Sequence, residues 1–213
     1  MAIESIDTAQ QLLRVFSTRE EEILTEATST FAKSGFRSTD VQLIADSLGI
    51  GKGTIYRAFP TKQLLFLACV DRAMRRLFTR MQNASPQSAH PLERVKAAIK
   101  AYLAFFDENP ELLELIIQER SEFKDRSMTT YFDYRNRAIQ PLNDQLAALI
   151  VQGEVRPVKP EEITDFISQQ LYGKLFTHYF TGSKDSLAKD ADYLIDLLFH
   201  GFLTRRQADR NQT

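Results

Sequence analysis

The side chains of this chain that could do chemistry are mainly positively charged groups that also donate hydrogen bonds. They are concentrated towards its N-terminal end. Residues 33–80 carry nine Lys and Arg against three Asp, a net charge of +6, whereas the whole chain of 213 residues has a formal charge of −1. The remainder therefore carries −7. A basic segment on an acidic body is typical of a nucleic-acid-contacting module joined to a module with another task. A solvated basic face is the alternative that charge alone leaves open.

Catalytic and metal-binding side chains are few. The three histidines are His90, His178 and His200, and neither of the two in predicted helices has a second metal ligand four residues on. The single cysteine, Cys69, lies in an apolar helical stretch and is expected to be a buried, unreactive thiol. The sequence has no glycine-rich phosphate loop and no nucleophile motif. We therefore expect neither an enzyme nor a bound metal or cofactor.

The stretch between residues 41 and 55 has the spacing of a helix-turn-helix. Such a motif needs a small residue where its two helices meet and, in the turn, a residue that tolerates positive φ. Ala45 and Gly49 meet these needs. Apolar residues must hold the two helices at their wide angle, and four positions fit this requirement: Ile44, Leu48, Ile50 and Ile55. The second helix can then lie in the major groove of DNA with its N-terminal residues facing the base edges.

This motif, at residues 38–59, and its flanks resemble the TetR family of transcriptional regulators over residues 18–66. The resemblance is carried by residues before, within and after the motif: Gly35, Thr39, Ile44, Ala45, Gly49, Lys52, Gly53, Thr54, Ile55, Tyr56, Phe59 and Lys62. It implies a regulator that binds double-stranded DNA, with Phe59 in the core of the DNA-binding domain.

The resemblance also implies which side chains meet DNA. Thr39 would cap the second helix and donate to a phosphate, and Tyr56 and Lys62 would contact phosphates as well. Three residues would open the recognition helix and face bases and backbone: Lys52, Gly53 and Thr54.

Two positions depart from the family pattern. Gly51 stands where a Ser cap is usual, and Ala58 stands where His or Tyr often touches a phosphate. Arg57 is added to the predicted DNA contacts, because it either replaces the missing phosphate contact or reads a base. The alternatives are that Lys52 and Arg57 are solvated surface residues and that Thr39 is only a cap.

Helix signals recur along the chain and no stretch alternates as a strand does, so the fold is predicted to be all-α. Residues 1–66 are expected to form a three-helix DNA-binding domain, and residues 67–213 a helical ligand-binding and dimerisation domain. Thr18 and Glu21 form a predicted capping box. Capping residues, glycines and prolines set the predicted helices at about 18–34, 39–47, 52–58, 61–81, 91–107, 109–123, a segment to 152 with a kink or a break at Pro141, 161–180 and 186–205.

Beyond the linker at residues 83–90, the chain resembles the family's regulatory domain in length and helix content only. The resemblance implies a small-molecule effector without naming it. Apolar and aromatic residues that are candidates to line a pocket, although such residues are also typical of plain core, are Phe105, Phe106, Leu113, Ile117, Phe123, Tyr131, Tyr134, Phe166, Tyr172 and Phe176. Polar residues would be more diagnostic if they face inward, because a buried charge needs a partner or a ligand: Gln118, Glu119, Arg120, Glu122 and Arg135.

The last two predicted helices carry apolar residues on more than one face. We expect them to form a homodimer interface as a four-helix bundle, since a second apolar face must be covered. The expected dimerisation residues are Leu194, Leu198, Gly201 and Phe202.

The predicted function is a ligand-responsive transcriptional regulator, a repressor that a small molecule releases from a palindromic operator. An activator, and a helical interaction module that keeps a degenerate motif, are the alternatives. The first residues lack the apolar core of a secretory signal, and no run of about 18 apolar residues could span a membrane. We therefore expect a cytoplasmic protein with no membrane partner.

Overall fold

The computed structural model describes residues 16–201, and all regular secondary structure in that range is helical. The predicted all-α fold class is therefore confirmed. The described residues form nine α-helices: α1 (Thr18–Ser34), α2 (Val41–Ser47), α3 (Lys52–Ala58), α4 (Lys62–Asn83), α5 (Pro91–Glu108), α6 (Glu111–Glu122), α7 (Thr130–Val151), α8 (Pro160–Phe180) and α9 (Ala191–His200). A 3₁₀ helix at Ala188–Asp190 precedes α9. Among the helices so described, none is long and apolar enough to cross a membrane.

Helix α1 has its predicted bounds, but its capping box lies one residue earlier than predicted. The box is formed by Ser17 and Glu20, whose side chains each accept a hydrogen bond from the other residue's backbone amide. The predicted partner Glu21 instead accepts a hydrogen bond from Arg72 Nε at 2.6 Å, so its carboxylate points towards α4 and not back along α1. Gly35 ends the helix as predicted, at a φ of 79° that side chains disfavour.

The chain divides into two compact units, and the first contains the described residues up to Thr79 together with Asn109–Ala138. In this unit α1 packs against α2 and α6, and α2 packs against α3. Cys69, in α4, is completely buried as predicted, and burial raises the pKa of its thiol to about 12. An aromatic cluster lies in the same unit, with neighbouring ring centroids 4.9–6.0 Å apart: Phe31, Phe36, Phe66 and Phe123.

The second unit contains Arg80–Glu108 and the chain from Ile139 onwards. Here α5 packs against α8, α9 and the 3₁₀ helix. The Asp107 carboxylate accepts hydrogen bonds from the backbone amides of Leu187 and Ala188, each at 2.8 Å, and so fixes the start of the 3₁₀ helix. These units group residues by packing, and the functional boundary at residue 66 stays a prediction.

Two predicted helix boundaries in the second half of the chain are wrong. Helix α7 runs through Pro141, so the predicted break is absent, and a kink at this residue stays a prediction; the proline lies on an exposed face, where water can bind the carbonyl that loses its partner. Helix α9 ends at His200, five residues before its predicted end, because Gly201 adopts a φ of 71° and terminates it.

Candidate DNA interface

The turn between α2 and α3 has the geometry that the sequence predicted. Gly49 has a φ of 63°, and the amide of Ile50 donates to the carbonyl of Ala45 at 3.0 Å. Ala45, Ile44 and Ile55 are completely buried where the two helices meet. The requirement for glycine at position 49 is conformational, because an added Cβ would meet no atom within 4 Å.

The recognition helix α3 has the predicted bounds, and Gly51 is its N-cap without any side-chain hydrogen bond. Gly53 is exposed, and a Cβ there would also meet nothing within 4 Å of the chain. Packing within the protein therefore does not require a glycine at this position, as expected if its backbone approaches DNA closely.

At the C-terminal end of α3, the predicted burial of Phe59 is confirmed, and the predicted DNA contacts Tyr56 and Arg57 lie on the surface. Tyr56 is 37% exposed, and Phe59 is buried at 4% exposure. Arg57 is exposed, and its Nη2 donates to Thr54 Oγ1 at 3.3 Å. Thr54 and Arg57 thus form one hydrogen-bonded pair on the outer face of the helix.

The predicted cap of the second helix is wrong by one residue. Asp40, not Thr39, is the N-cap of α2, and its carboxylate accepts from the amide of Gln42 at 2.9 Å. Thr39 is 2% exposed, and its hydroxyl and its amide both donate to the carbonyl of Gly35. Both donors of Thr39 are therefore engaged within the chain, which disfavours the predicted phosphate contact in this conformation.

Lys62 supports the turn that leads into α2. Its Nζ donates to the backbone carbonyls of Arg37 at 3.1 Å and Thr39 at 3.0 Å, and lies 4.8 Å from the ring centre of Phe36. An ammonium group has three donors. The two bonds to the turn leave one of them for a phosphate, so Lys62 is at least as much a structural residue as a DNA contact.

Lys52, the first residue of α3, forms an ion pair with Asp40, with Nζ and Oδ1 2.8 Å apart. The sequence interpretation included Lys52 but missed its acidic partner. The available signal was that both Thr39 and Asp40 are favourable N-cap residues, so that either could have opened α2.

A family model described as bacterial regulatory proteins of the tetR family matches residues 23–69, which include α2, α3 and most of α1. Its match contains the helix-turn-helix just described. Residues 23–69 are a DNA-binding region of the TetR family. This is a family of regulators and not of enzymes, in agreement with the residues of the sequence.

Relatives and solved structures resemble the chain beyond the motif. The HTH-type transcriptional regulator YhgD of Bacillus subtilis is 29% identical over 168 residues, covering 72% of this chain and 80% of that protein. The HTH-type transcriptional repressor KstR2 of Mycobacterium tuberculosis is 27% identical over 142 residues, covering 66% and 71%. The structure of the fatty acid degradation regulator FadR from Bacillus halodurans has the same fold, with a TM-score of 0.77 and 16% identity over 90% of this chain and all of that one. FadR from Bacillus subtilis, solved in complex with stearoyl-CoA, has a TM-score of 0.73 and 18% identity over 86% of this chain and 99% of that one.

Several candidate effector residues of this chain lie in the first unit. Phe123 belongs to the aromatic cluster, Tyr131 is buried at 4% exposure, and Ile117 is half-buried. The Tyr134 hydroxyl donates to Oδ1 of Asp71 at 2.8 Å, and its ring stacks on Phe78. The Asp71–Tyr134 hydrogen bond, which joins α4 to α7, was not anticipated from the sequence.

The remaining candidates lie in the second unit. Phe105 and Phe106 are both 2% exposed and pack edge to face, whereas Phe166 is 52% exposed. Tyr172 and Phe176 are half-buried and stacked, with ring centroids 4.2 Å apart. The structure therefore divides the predicted pocket residues between two units and among core and surface positions.

Two of the inward-facing possibilities are realised, both on α6. Glu119 is completely buried, and its Oε1 accepts from the amide of Thr130 at 2.9 Å and from its hydroxyl at 2.8 Å. Arg126 Nη1 lies 3.2 Å from the same oxygen. Burial raises the pKa of Glu119, although the bonds from Thr130 oppose this. Gln118 is 7% exposed, and its Nε2 donates to the carbonyl of Phe31, near the end of α1.

The other three polar candidates do not lie in the interior. Arg120 is exposed, and half-buried Glu122 pairs with Arg37 at 2.7 Å. Arg135 is half-buried and donates to Asn136 at 3.1 Å. Of the five polar candidates, only Gln118 and Glu119 are buried, and the Glu119 carboxyl is bonded to Thr130, the first residue of α7.

The predicted dimerisation residues lie on or after α9. Leu194 and Leu198 are half-buried within this chain, Gly201 is exposed, and Phe202 lies outside the described residues. Two aromatic side chains of α8 and α9 are more exposed than these leucines. Phe180, at the end of α8, is 69% exposed, and Tyr193, on another face of α9, is 67% exposed.

Proposed function

We propose that this regulator is a cytoplasmic, homodimeric repressor that leaves a palindromic operator when a small apolar molecule binds to its regulatory region. The observation that carries the proposal is the attachment of that region to the DNA-binding helices. The Gln118 amide donates to the carbonyl of Phe31 at 3.0 Å, and the Tyr134 hydroxyl bonds to Asp71 in α4. A movement of α6 would therefore be transmitted to α1, and a movement of α7 to α4.

The DNA side of the proposal rests on the exposed face of α3. Tyr56 and Arg57 are exposed, and Lys52 and Thr54 are half-buried at the N-terminal end of the helix. Two such helices in a twofold dimer would reach half-sites about one helical turn of DNA, about 34 Å, apart. A repressor, and not an activator, is favoured because the relative KstR2 carries that description.

The effector side of the proposal is a shift between two conformations. A ligand can move such an equilibrium only by the difference between its affinities for the two states. A pocket containing Tyr172 and Phe176 would suit an apolar ligand, because these stacked rings are half-buried and offer surface for it to cover. Operator DNA must then weaken ligand binding by the same factor by which the ligand weakens DNA binding.

Dimerisation is supported by exposed aromatic surface. Phe166, Tyr179 and Phe180 of α8 are 52%, 38% and 69% exposed in the single chain. Exposed apolar side chains on one helix favour association, and a second copy is the commonest cover for such a surface.

The test is a titration of the protein against DNA from upstream of its own gene and against random duplex, with and without apolar small molecules. We expect tighter binding to the upstream DNA and release by at least one ligand class. Lys52→Met should weaken binding, whereas Lys184→Met, which removes an exposed positive charge in the other unit, should not. A chain that binds no DNA would support the interaction module, and DNA binding strengthened by the ligand would indicate a ligand-dependent repressor or an activator.

A further inference from the structure

An acidic side chain lies among the basic groups of the DNA interface. Asp40 caps α2, and its Oδ1 lies 2.8 Å from Nζ of Lys52, the first residue of the recognition helix. The two side chains are exposed to solvent, by 60% for Asp40 and 36% for Lys52. The ion pair is therefore on the protein surface, at the end of α3 that would face DNA.

Asp40 is a carboxylate at neutral pH. The amide of Gln42 donates to it, the ammonium of Lys52 donates as well, and these bonds lower its pKa. The positive charge of Lys62 also favours the ionised form. A permanent negative charge therefore accompanies Lys52 wherever the recognition helix meets DNA.

This negative charge affects phosphates and bases differently. A phosphate is an anion. When Lys52 pairs with a phosphate, the negative charges of the phosphate and of Asp40 are held close together, and their repulsion opposes the contact. A base edge offers neutral acceptors, and the ammonium has three donors, so Lys52 can donate to a base while it keeps its bond to Asp40. Binding to random DNA depends almost wholly on phosphate contacts, whereas binding to a specific site adds base contacts.

We propose that Asp40 is a specificity-determining residue, which restrains Lys52 from binding phosphates and so lowers affinity for random DNA more than affinity for a preferred site. The expected contribution is modest, because exposed ion pairs change an equilibrium constant by about two- to fivefold. Two copies in a dimer would multiply this factor.

The testing variant is Asp40→Asn, because asparagine caps a helix as well as aspartate and only the charge is lost. Binding is measured by fluorescence anisotropy over a range of salt concentrations. The probes are a random duplex and a duplex selected by the wild-type chain from a random pool. We expect affinity for random duplex to rise by about two- to fivefold per motif, and its salt dependence to steepen by about 0.9 per motif. Affinity for the selected duplex should change less.

The matched control is Asp46→Asn, which removes the same charge from the same helix at a carboxylate bonded to the side chain of Gln42. It should change binding to random DNA by a smaller factor. Asp40→Asn is also made in a Lys52→Met background, where its effect should fall to that of Asp46→Asn because the restrained side chain is gone. Asp40→Ser, another neutral cap, replaces Asp40→Asn if circular dichroism shows a loss of helix.

The outcomes separate the mechanisms. Equal effects of the two aspartate substitutions, or an undiminished effect of Asp40→Asn in the Lys52→Met background, would mean that Asp40 acts only as a general charge. Weaker or unchanged binding of Asp40→Asn to random duplex would mean that Asp40 does not restrain Lys52. An equal gain on the selected duplex would overturn the role in specificity.

Discussion

Removal of the Tyr134 hydroxyl tests whether this residue is part of the framework or of an effector pocket. The hydroxyl donates to Asp71 at 2.8 Å, and Asp71 is only 3% exposed. Burial, together with the Asp71 carboxylate, raises the pKa of Tyr134 to about 12, so the hydroxyl is a protonated donor at neutral pH. Tyr134→Phe keeps the ring that stacks on Phe78 and removes only this bond.

The expected loss follows from the burial of the acceptor. A hydrogen bond to a charged group contributes about 1.5–3 kcal/mol, and a buried acceptor that loses its donor is costly. Because Arg75 still bonds to the other oxygen of Asp71 and Tyr134 is half-buried, we expect a loss of about 2 kcal/mol in the free energy of unfolding. For a chain of this size that corresponds to a decrease of about 4–8 °C in Tm.

The loss should also depend on pH. Burial raises the pKa of Asp71, and the bond from Tyr134 opposes this by favouring the charged form. A carboxyl group whose pKa is raised in the folded state stabilises it at low pH and loses that contribution as pH rises through the raised pKa. Tyr134→Phe should raise this pKa further, so the gap between variant and wild type should widen as pH rises through it.

Urea unfolding followed by circular dichroism measures the effect, with Tyr193→Phe as the matched control. Tyr193 is 67% exposed, so loss of its hydroxyl should change stability by less than about 0.5 kcal/mol. A Tyr134→Phe chain as stable as this control would refute the structural role. Reduced effector affinity with unchanged stability would show that Tyr134 belongs to the effector pocket.

Three further substitutions test the interface, the dimer and the buried carboxyl. Tyr56→Phe should weaken binding to selected and random DNA by similar factors in anisotropy titrations, because a phosphate contact carries no sequence information; a loss confined to selected DNA would show base reading. Phe180→Glu should dissociate the proposed dimer in sedimentation experiments, since it places a charge on a 69% exposed apolar site, whereas Val151→Glu at an 89% exposed position should not. In the wild type, the free energy of unfolding should fall as pH rises through the raised pKa of Glu119, and Glu119→Gln should reduce this fall in urea unfolding across pH. An unchanged pH profile would contradict the raised pKa of Glu119.

The helix-turn-helix could be predicted closely because local signals define it. Gly51 and Pro60 lie on either side of α3 and limit the helix, so the bounds of α3 match the prediction. Gly49 adopts the predicted positive φ because the turn itself requires it. Such features depend on residues a few positions apart, which a single sequence displays directly.

The missed features depend on contacts between distant residues. Thr39 and Asp40 are both favourable caps, and the structure assigns this role to Asp40, while the Thr39 hydroxyl bonds to Gly35 and its carbonyl accepts from Lys62. Tyr134 and Asp71 lie 63 positions apart, so no local pattern links them. An aromatic residue at helical spacing looks the same in a sequence whether it packs in a core or lines a pocket.

The burial of Cys69 makes the chain convenient for spectroscopy. Its thiol is inaccessible and has a pKa of about 12, so it should not react with maleimide or methanethiosulfonate reagents in the native protein at neutral pH. A cysteine introduced on the surface would then be the reactive one, without prior removal of the natural residue. Leu43 is a suitable position, being 57% exposed on α2. Spin labels at Leu43→Cys in the two copies of the proposed dimer would report the distance between the motifs directly, before and after ligand is added.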